Sequence, residues 1–154
     1  MKTIVALYDR AVGLVANAFG EGIALLLARI ALAGIFWRSY KTKVVDGTWL
    51  QIEDTQYFLF EDQFSGLPIP TDLAVPMATY AEFLFPILLV AGLATRFSAT
   101  ALLIMTLVIQ FFVFPTSDHF FGWAMMPIAL AAVLITRGGG MLSADALIGK
   151  VRGQ

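Results

Sequence analysis

Cysteine is absent from this 154-residue chain, which excludes disulfides, thiolate metal sites, iron–sulfur clusters and thiol relays. The omission leaves the redox compartment open. Charge is scarce as well: Lys, Arg, Asp and Glu make up 14% of the residues, and the formal net charge is −1. No basic arm is present to neutralise phosphates, so nucleic acid is not an expected partner. Histidine occurs once, as His119. A metal site normally needs three or four protein ligands, so one His beside Asp118 is a weak signal and no metal is expected. Met77, Met105, Met125 and Met126 are scattered through apolar runs as packing residues are. There is no Ser–His–Asp arrangement, P-loop or dinucleotide fingerprint, and no flavin is expected.

What the chain has in abundance is long apolar runs. Hydrophobic residues reach 59% and the mean hydropathy is +0.82. The runs are Ile23–Trp37, Leu73–Ala94, Phe97–Phe114 and Phe120–Ile135. Crossing roughly 30 Å of hydrocarbon takes about 20 mostly apolar residues. With small and interfacial flanks included, four spans are predicted at about 21–38, 73–94, 97–114 and 119–136. The expected fold is an all-α four-helix membrane bundle, read as one domain over residues 1–154 whose obligatory partner is the lipid bilayer.

Before the first run, Ile4, Leu7 or Tyr8, Ala11, Leu14 or Val15, and Ala18 or Phe19 recur at helical spacing. Asp9, Arg10 and Asn17 make the segment too mixed to span, which predicts an amphipathic helix lying in the interface. Tyr8-Asp9-Arg10 also interrupts it too early for a cleaved signal. With the N-terminus inside, Lys2, Arg10, Arg96, Arg137, Lys150 and Arg152 are cytoplasmic, and Arg38, Lys41 and Lys43 lie outside. That bias places both termini in the cytoplasm.

The connection 39–72 is the one long loop. Trp49, Leu50, Ile52, Tyr57, Phe58, Leu59, Phe60 and Phe64 are interleaved there with acidic residues, so it is expected to fold down as a cap on the outer surface. Gly138-Gly139-Gly140 stops the last span, and Ser143 is placed to cap a short helix through Ile148.

Two charges interrupt the spans, Arg29 and Glu82. A charge at mid-membrane costs about 2.5–3.5 kcal/mol on insertion scales. At about 1.5 Å per residue, Arg29 lies roughly 12 Å from the inner end of its helix and Glu82 roughly 14 Å from the outer end of its own. Similar depth on neighbouring antiparallel helices predicts an Arg29–Glu82 pair. Such a pair either fixes helix register or builds a polar pocket for a quinone headgroup and its protons, with Arg29 and Glu82 as candidate catalytic and quinone-binding residues; the alternative is that Arg29 snorkels to the inner interface without pairing. Pro86 cannot donate to the Glu82 carbonyl, which leaves a further acceptor nearby. At the outer ends, Arg38, Lys41, Lys43 and His119 are candidate contacts for an anion or a partner protein.

The chain resembles the DoxX/DoxD family of small four-helix bacterial inner-membrane proteins. The resemblance is carried by Leu27-Ala28-Arg29 with Lys41 and Lys43 downstream, by Glu82 followed by Gly92-Leu93-Ala94-Thr95-Arg96, and by Gly138-Gly139-Gly140-Met141-Leu142-Ser143-Ala144-Asp145. It extends over roughly residues 22–148. It implies a multi-pass protein of the bacterial inner membrane; some relatives resemble the small subunit of a thiosulfate:quinone oxidoreductase, and others act with partners or under redox stress. Two functions are therefore expected. One is a membrane protein associated with quinone-linked redox chemistry or redox stress, supplied with reductant by a substrate or partner. The other is a non-catalytic accessory or assembly subunit that docks a membrane partner, or a second copy, through small residues such as Ala24, Ala28, Ala31 and Gly34.

Overall fold

The computed structural model describes residues 2–153. Helix α1 (Lys2–Val15) leads into α2 (Ala18–Lys41); α3 (Thr55–Gln63) lies in the long connection. Then come α4 (Thr71–Ala91), α5 (Thr95–Val108) with a π turn over Ile109–Val113, α6 (Ser117–His119) with a π turn over Phe120–Ala124, α7 (Met125–Arg137) and α8 (Ala144–Val151). Four stretches are long and apolar enough to cross a membrane: Ala18–Lys41, Thr71–Ala91, Thr95–Val113 and Ser117–Arg137. They are the four predicted spans with their ends moved by up to three residues. The protein is an all-α, multi-pass membrane protein.

The spanning helices form a ring in which α2 and α5 each contact both α4 and α7. On α2 the inward face repeats as Leu25, Arg29, Leu32, Ala33, Phe36 and Tyr40, all buried, while Ile23, Leu27 and Ile30 face outward and are exposed. A helix apolar on every side suits a lipid surround. The core joins that face to Leu89 of α4, Ala99 and Leu102 of α5, and Ala131 and Leu134 of α7. Helix α1 exposes Ile4, Leu7 and Tyr8 and is separated from α2 by Asn17, whose Oδ1 accepts from the Phe19 and Gly20 amides at 3.0 and 2.9 Å. Losing an N-cap of this kind costs about 1 kcal/mol, so the break is built in.

At one end the helices are tied together. Helix α4 stops at Gly92, whose φ of 69° is left-handed; Gly92 N donates to Leu89 O and Leu93 N to Leu88 O, the Schellman arrangement. This ends the span three residues before the predicted 94. A Cβ on Gly92 would collide with the Arg29 guanidinium and lie 2.6 Å from Ser143 Cβ, so only glycine fits. The next helix begins at Ala94, a left-handed alanine with φ 49° and no cap of its own. Its cap comes from far along the chain: Asp145 Oδ1 accepts from Ala94 N (2.7 Å) and Oδ2 from Thr95 N (2.8 Å). Asp145 N in turn donates to Gly92 O at 2.9 Å. Ser143 caps α8, its Oγ accepting from Ala146 N at 3.2 Å. The two sequence blocks Gly92–Arg96 and Gly138–Asp145 are thus two halves of one joint.

The other end carries the long connection. Val44 bridges Ile52, the Tyr40 hydroxyl donates to Trp49 O, and Tyr80 Oη donates to Leu50 O at 3.3 Å. Trp37 stacks on Phe83 at 5.8 Å, with Tyr40 and Trp49 against the same ring. Helix α3 then lies on α4 through Phe60, Ala74 and Val75. Gly66 is pressed against the Phe112 carbonyl, where no Cβ could stand. The connection is a folded cap over the loop end of the bundle.

Burial works against the Asp145 carboxylate, but the Thr95 and Ala94 hydrogen bonds and the Arg29 charge outweigh it and hold its pKa below the ordinary carboxylate value. A depressed carboxylate stabilises the fold fully above its unfolded pKa of about 3.9 and loses that contribution as pH falls through the lower folded value. Asp145→Ala is expected to cost about 1–2 kcal/mol at neutral pH and to flatten the acid limb of thermal unfolding in detergent. Unchanged stability at neutral pH would mean that the joint is held by other contacts.

Candidate functional site

Arg29 and Glu82 do not meet. The Arg29 guanidinium donates from Nη1 to the carbonyls of Leu89 (3.2 Å) and Val90 (3.3 Å) and from Nη2 to Leu142 O (2.5 Å). Those α4 carbonyls belong to the last helical turn and carry the negative end of the helix dipole; each has lone-pair capacity to spare, Leu89 O beside its bond from Gly92 N. They lie seven and eight residues beyond Glu82, about 10–12 Å further along α4. The predicted pair is corrected on this ground: a helix end and the returning chain already engage both terminal nitrogens of the arginine, and only its Nε is left without a partner. Arg29 belongs to the tied end.

Glu82 instead pairs with Lys43. Thr42 ends α2 with its amide on Ser39 O, and Lys43 N bonds Tyr40 O at 2.9 Å, which turns the Lys43 side chain back along the helix it has just left. Its Nζ lies 2.7 Å from Glu82 Oε2 and 2.7 Å from Ser39 Oγ, with Ser39 O at 3.5 Å. Ser39 Oγ donates to Glu82 Oε1 at 3.1 Å. Glu82 is 2% exposed and Lys43 8%. Desolvating two charges offsets most of their mutual attraction, so a pair this deep is a weak stabiliser relative to apolar residues of equal volume. Intramembrane ionisable groups are functional candidates by default.

The triad lines a cavity of about 650 Å³, a size typical of small-molecule sites. Ala78 and Ala81 on α4 and Ala101 on α5 leave room in its wall, and Phe60 and Phe64 of the cap close over it, stacked at 4.3 Å. Two further lining residues, Met77 on α4 and Ile104 on α5, are 60% and 56% exposed. The cavity therefore opens through the apolar helix surface.

His119 and Trp123 are also in the wall. The imidazole lies between the Phe114 and Trp123 rings, 4.9 and 5.2 Å away, and its Nδ1 is 2.7 Å from Gln110 Oε1. Gln110 is 6% exposed and spends its amide hydrogens on Phe114 O (3.0 Å) and Thr116 O (3.2 Å). Both residues adjoin or sit in π turns, marked by Phe114 N bonding Ile109 O and Met125 N bonding Phe120 O. Each π turn inserts a residue and re-aims the side chains around it, a feature frequent at functional sites.

Of the four candidate anion or partner contacts expected at the outer ends, two are internal and two are not. Lys43 and His119 line the cavity. Arg38 and Lys41 are exposed, Lys41 lying 6.0 and 5.9 Å above the Tyr40 and Trp49 rings. Ser39 and Trp123 are site residues that sequence reasoning missed. The signal available for Ser39 was its i,i+4 spacing to Lys43 at the end of a span.

The pairing makes a sharp energetic prediction. Lys43→Met strands a buried carboxylate and is expected to cost about 3–5 kcal/mol, most of it recovered when Glu82→Leu is added. Arg29→Met and Glu82→Leu, lacking a shared contact, are expected to combine additively within about 0.5 kcal/mol. Unfolding in detergent across both double-mutant cycles measures this; strong coupling in the Arg29 cycle would contradict the geometry.

Comparison with known proteins follows the same outline. The DoxX family model matches residues 24–115, from within α2 through Pro115, and so includes Arg29, Lys43, Glu82 and Gln110. A protein of Haemophilus influenzae described as an uncharacterized protein is 34% identical over 141 residues, covering 88% of this chain and 89% of its own length. No solved structure matches. With more than half of the chain matched by the family model, and the glutamate, lysine and arginine of the two polar centres inside the match, the chain belongs to the DoxX family.

Proposed function

We propose that this protein binds a membrane quinone in the cavity beside Lys43 and Glu82 and takes part in quinone-linked redox chemistry. One observation carries the reading: an apolar cavity of about 650 Å³ includes the exposed Met77 and Ile104 in its wall, and its polar side is the Lys43–Glu82–Ser39 triad, with Lys43 and Glu82 buried. A ligand that arrives from lipid, with an apolar tail and a compact polar head, matches both properties. The site has moved from the expected Arg29–Glu82 pocket toward the loop end of the bundle.

A bound quinone supplies the capacity to carry two electrons with two protons. The chain's own residues have simpler tasks. Phe60, Phe64 and the alanine-lined walls exclude water, while Glu82 and His119 hold protons at defined atoms. Lys43, two residues beyond α2, links Glu82 to the loop end, where Arg38 and Lys41 stand exposed to attract an anionic reductant or the acidic face of a partner. The tied end has a hollow of its own, lined by Thr95, Arg96, Ser143 and Asp145, but neither Glu82 nor Lys43 is in its wall. Lys and Arg bias supports an orientation with both termini cytoplasmic, family membership is what favours the bacterial inner membrane, and in that orientation the cavity lies in the outer leaflet.

The test is a direct count. Protein purified in mild detergent is extracted with organic solvent and its quinone measured by mass spectrometry, beside a Glu82→Gln variant whose melting temperature confirms that it is folded. About one quinone per chain, depleted in the variant, is the expected result. Absence of quinone from gently solubilised protein would contradict this reading and favour the accessory role, with the exposed Ala24 and Ala31 of α2 as the surface to probe.

A further inference from the structure

Every polar side chain in the cavity wall has a definite hydrogen-bonding state. The lining set is Ser39, Lys43, Glu82, His119 and Trp123. Lys43 spends its donors on Glu82 and on Ser39 Oγ and O, and Ser39 spends its hydroxyl hydrogen on Glu82. Glu82 as a carboxylate offers about four lone-pair sites, and its protein partners use one on each oxygen. Acceptor capacity is left over there.

The imidazole is decided by its neighbour. Both amide hydrogens of Gln110 are committed to the Phe114 and Thr116 carbonyls, so its oxygen is what faces His119 Nδ1 at 2.7 Å. An amide oxygen only accepts, so Nδ1 carries the proton. In the neutral ring Nε2 is then an acceptor, and it has no protein partner among the described residues. Against these two acceptors stands one donor without a partner among the described residues, the Trp123 indole N–H.

From this inventory we infer that the cavity selects the reduced, hydroxyl-bearing form of its ligand, a quinol, over the oxidised quinone. The inference rests on the quinone-binding reading above. A phenolic hydroxyl both donates and accepts, whereas a quinone carbonyl only accepts. Either form satisfies the Trp123 N–H, but only the quinol satisfies Glu82 and His119 Nε2.

The experiment compares decylubiquinol with decylubiquinone, held anaerobically and added to the protein in nanodiscs, with occupancy counted by native mass spectrometry. Quinol is expected to bind about tenfold more tightly, the effect of one or two additional hydrogen bonds. His119→Phe, which keeps a ring in the slot and removes the acceptor, is expected to cut that preference severalfold while its melting temperature shows it is folded. Equal or tighter binding of the quinone by the wild-type protein overturns the inference and leaves quinone binding standing. Binding of neither form overturns the quinone-binding reading itself.

Discussion

An arginine buried within a spanning helix needs partners for its donors before anything else in the bundle can be arranged, and here they are carbonyls rather than a carboxylate. Arg29 meets the C-terminal turn of α4 and the carbonyl of Leu142. One guanidinium thereby joins α2, α4 and the segment after the last span. Asp145 reinforces the joint from the opposite sign, capping α5 in trans and holding the left-handed Ala94 in place. A left-handed alanine costs of order 1 kcal/mol and persists only where its surroundings impose it. Gly92, wedged between Arg29 and Ser143, admits no side chain for the same reason.

Because both terminal nitrogens of Arg29 are engaged there, Glu82 pairs with Lys43 instead, and the two ends of the bundle differ in kind. The tied end is dense with long-range contacts between chain segments. At the loop end, alanines on α4 and α5 leave a void where bulkier residues would close it, and an aromatic cap lies over the top. A site that must admit a lipid-borne ligand requires one end of a small bundle to give way while the other holds. The division of charges between Arg29 with Asp145 and Lys43 with Glu82 meets that requirement within 154 residues.

The sequence made the spans legible because hydrocarbon thickness imposes a length that few soluble helices share, and the helix α1 was readable from its period. The ends were less so: the stop at Gly92 depends on a left-handed turn whose need for glycine comes from Arg29, a residue far away in the chain. Partner choice was not readable at all. Depth arithmetic placed Arg29 and Glu82 at similar levels, but an error of a few residues in each helix end is enough to separate them by 10 Å. Competing acceptors at a helix terminus and a chain segment 113 residues beyond Arg29 decide the rest. Lys43, read as an outer-surface charge, is drawn inside by a two-residue turn after α2. The cavity had no sequence signature, since it arises from small residues on different helices facing one another.

The measurement that bears most directly on this arrangement is a solid-state NMR distance from the Glu82 carboxyl carbon in lipid, assigned as the glutamate signal lost in Glu82→Gln. Dephasing of that carbon by lysine labelled with nitrogen-15 at Nζ, with none from labelled arginine side chains, is the predicted result. Dephasing by arginine instead would join the two intramembrane charges directly, and neither the tied end nor the cavity wall could then be built as described.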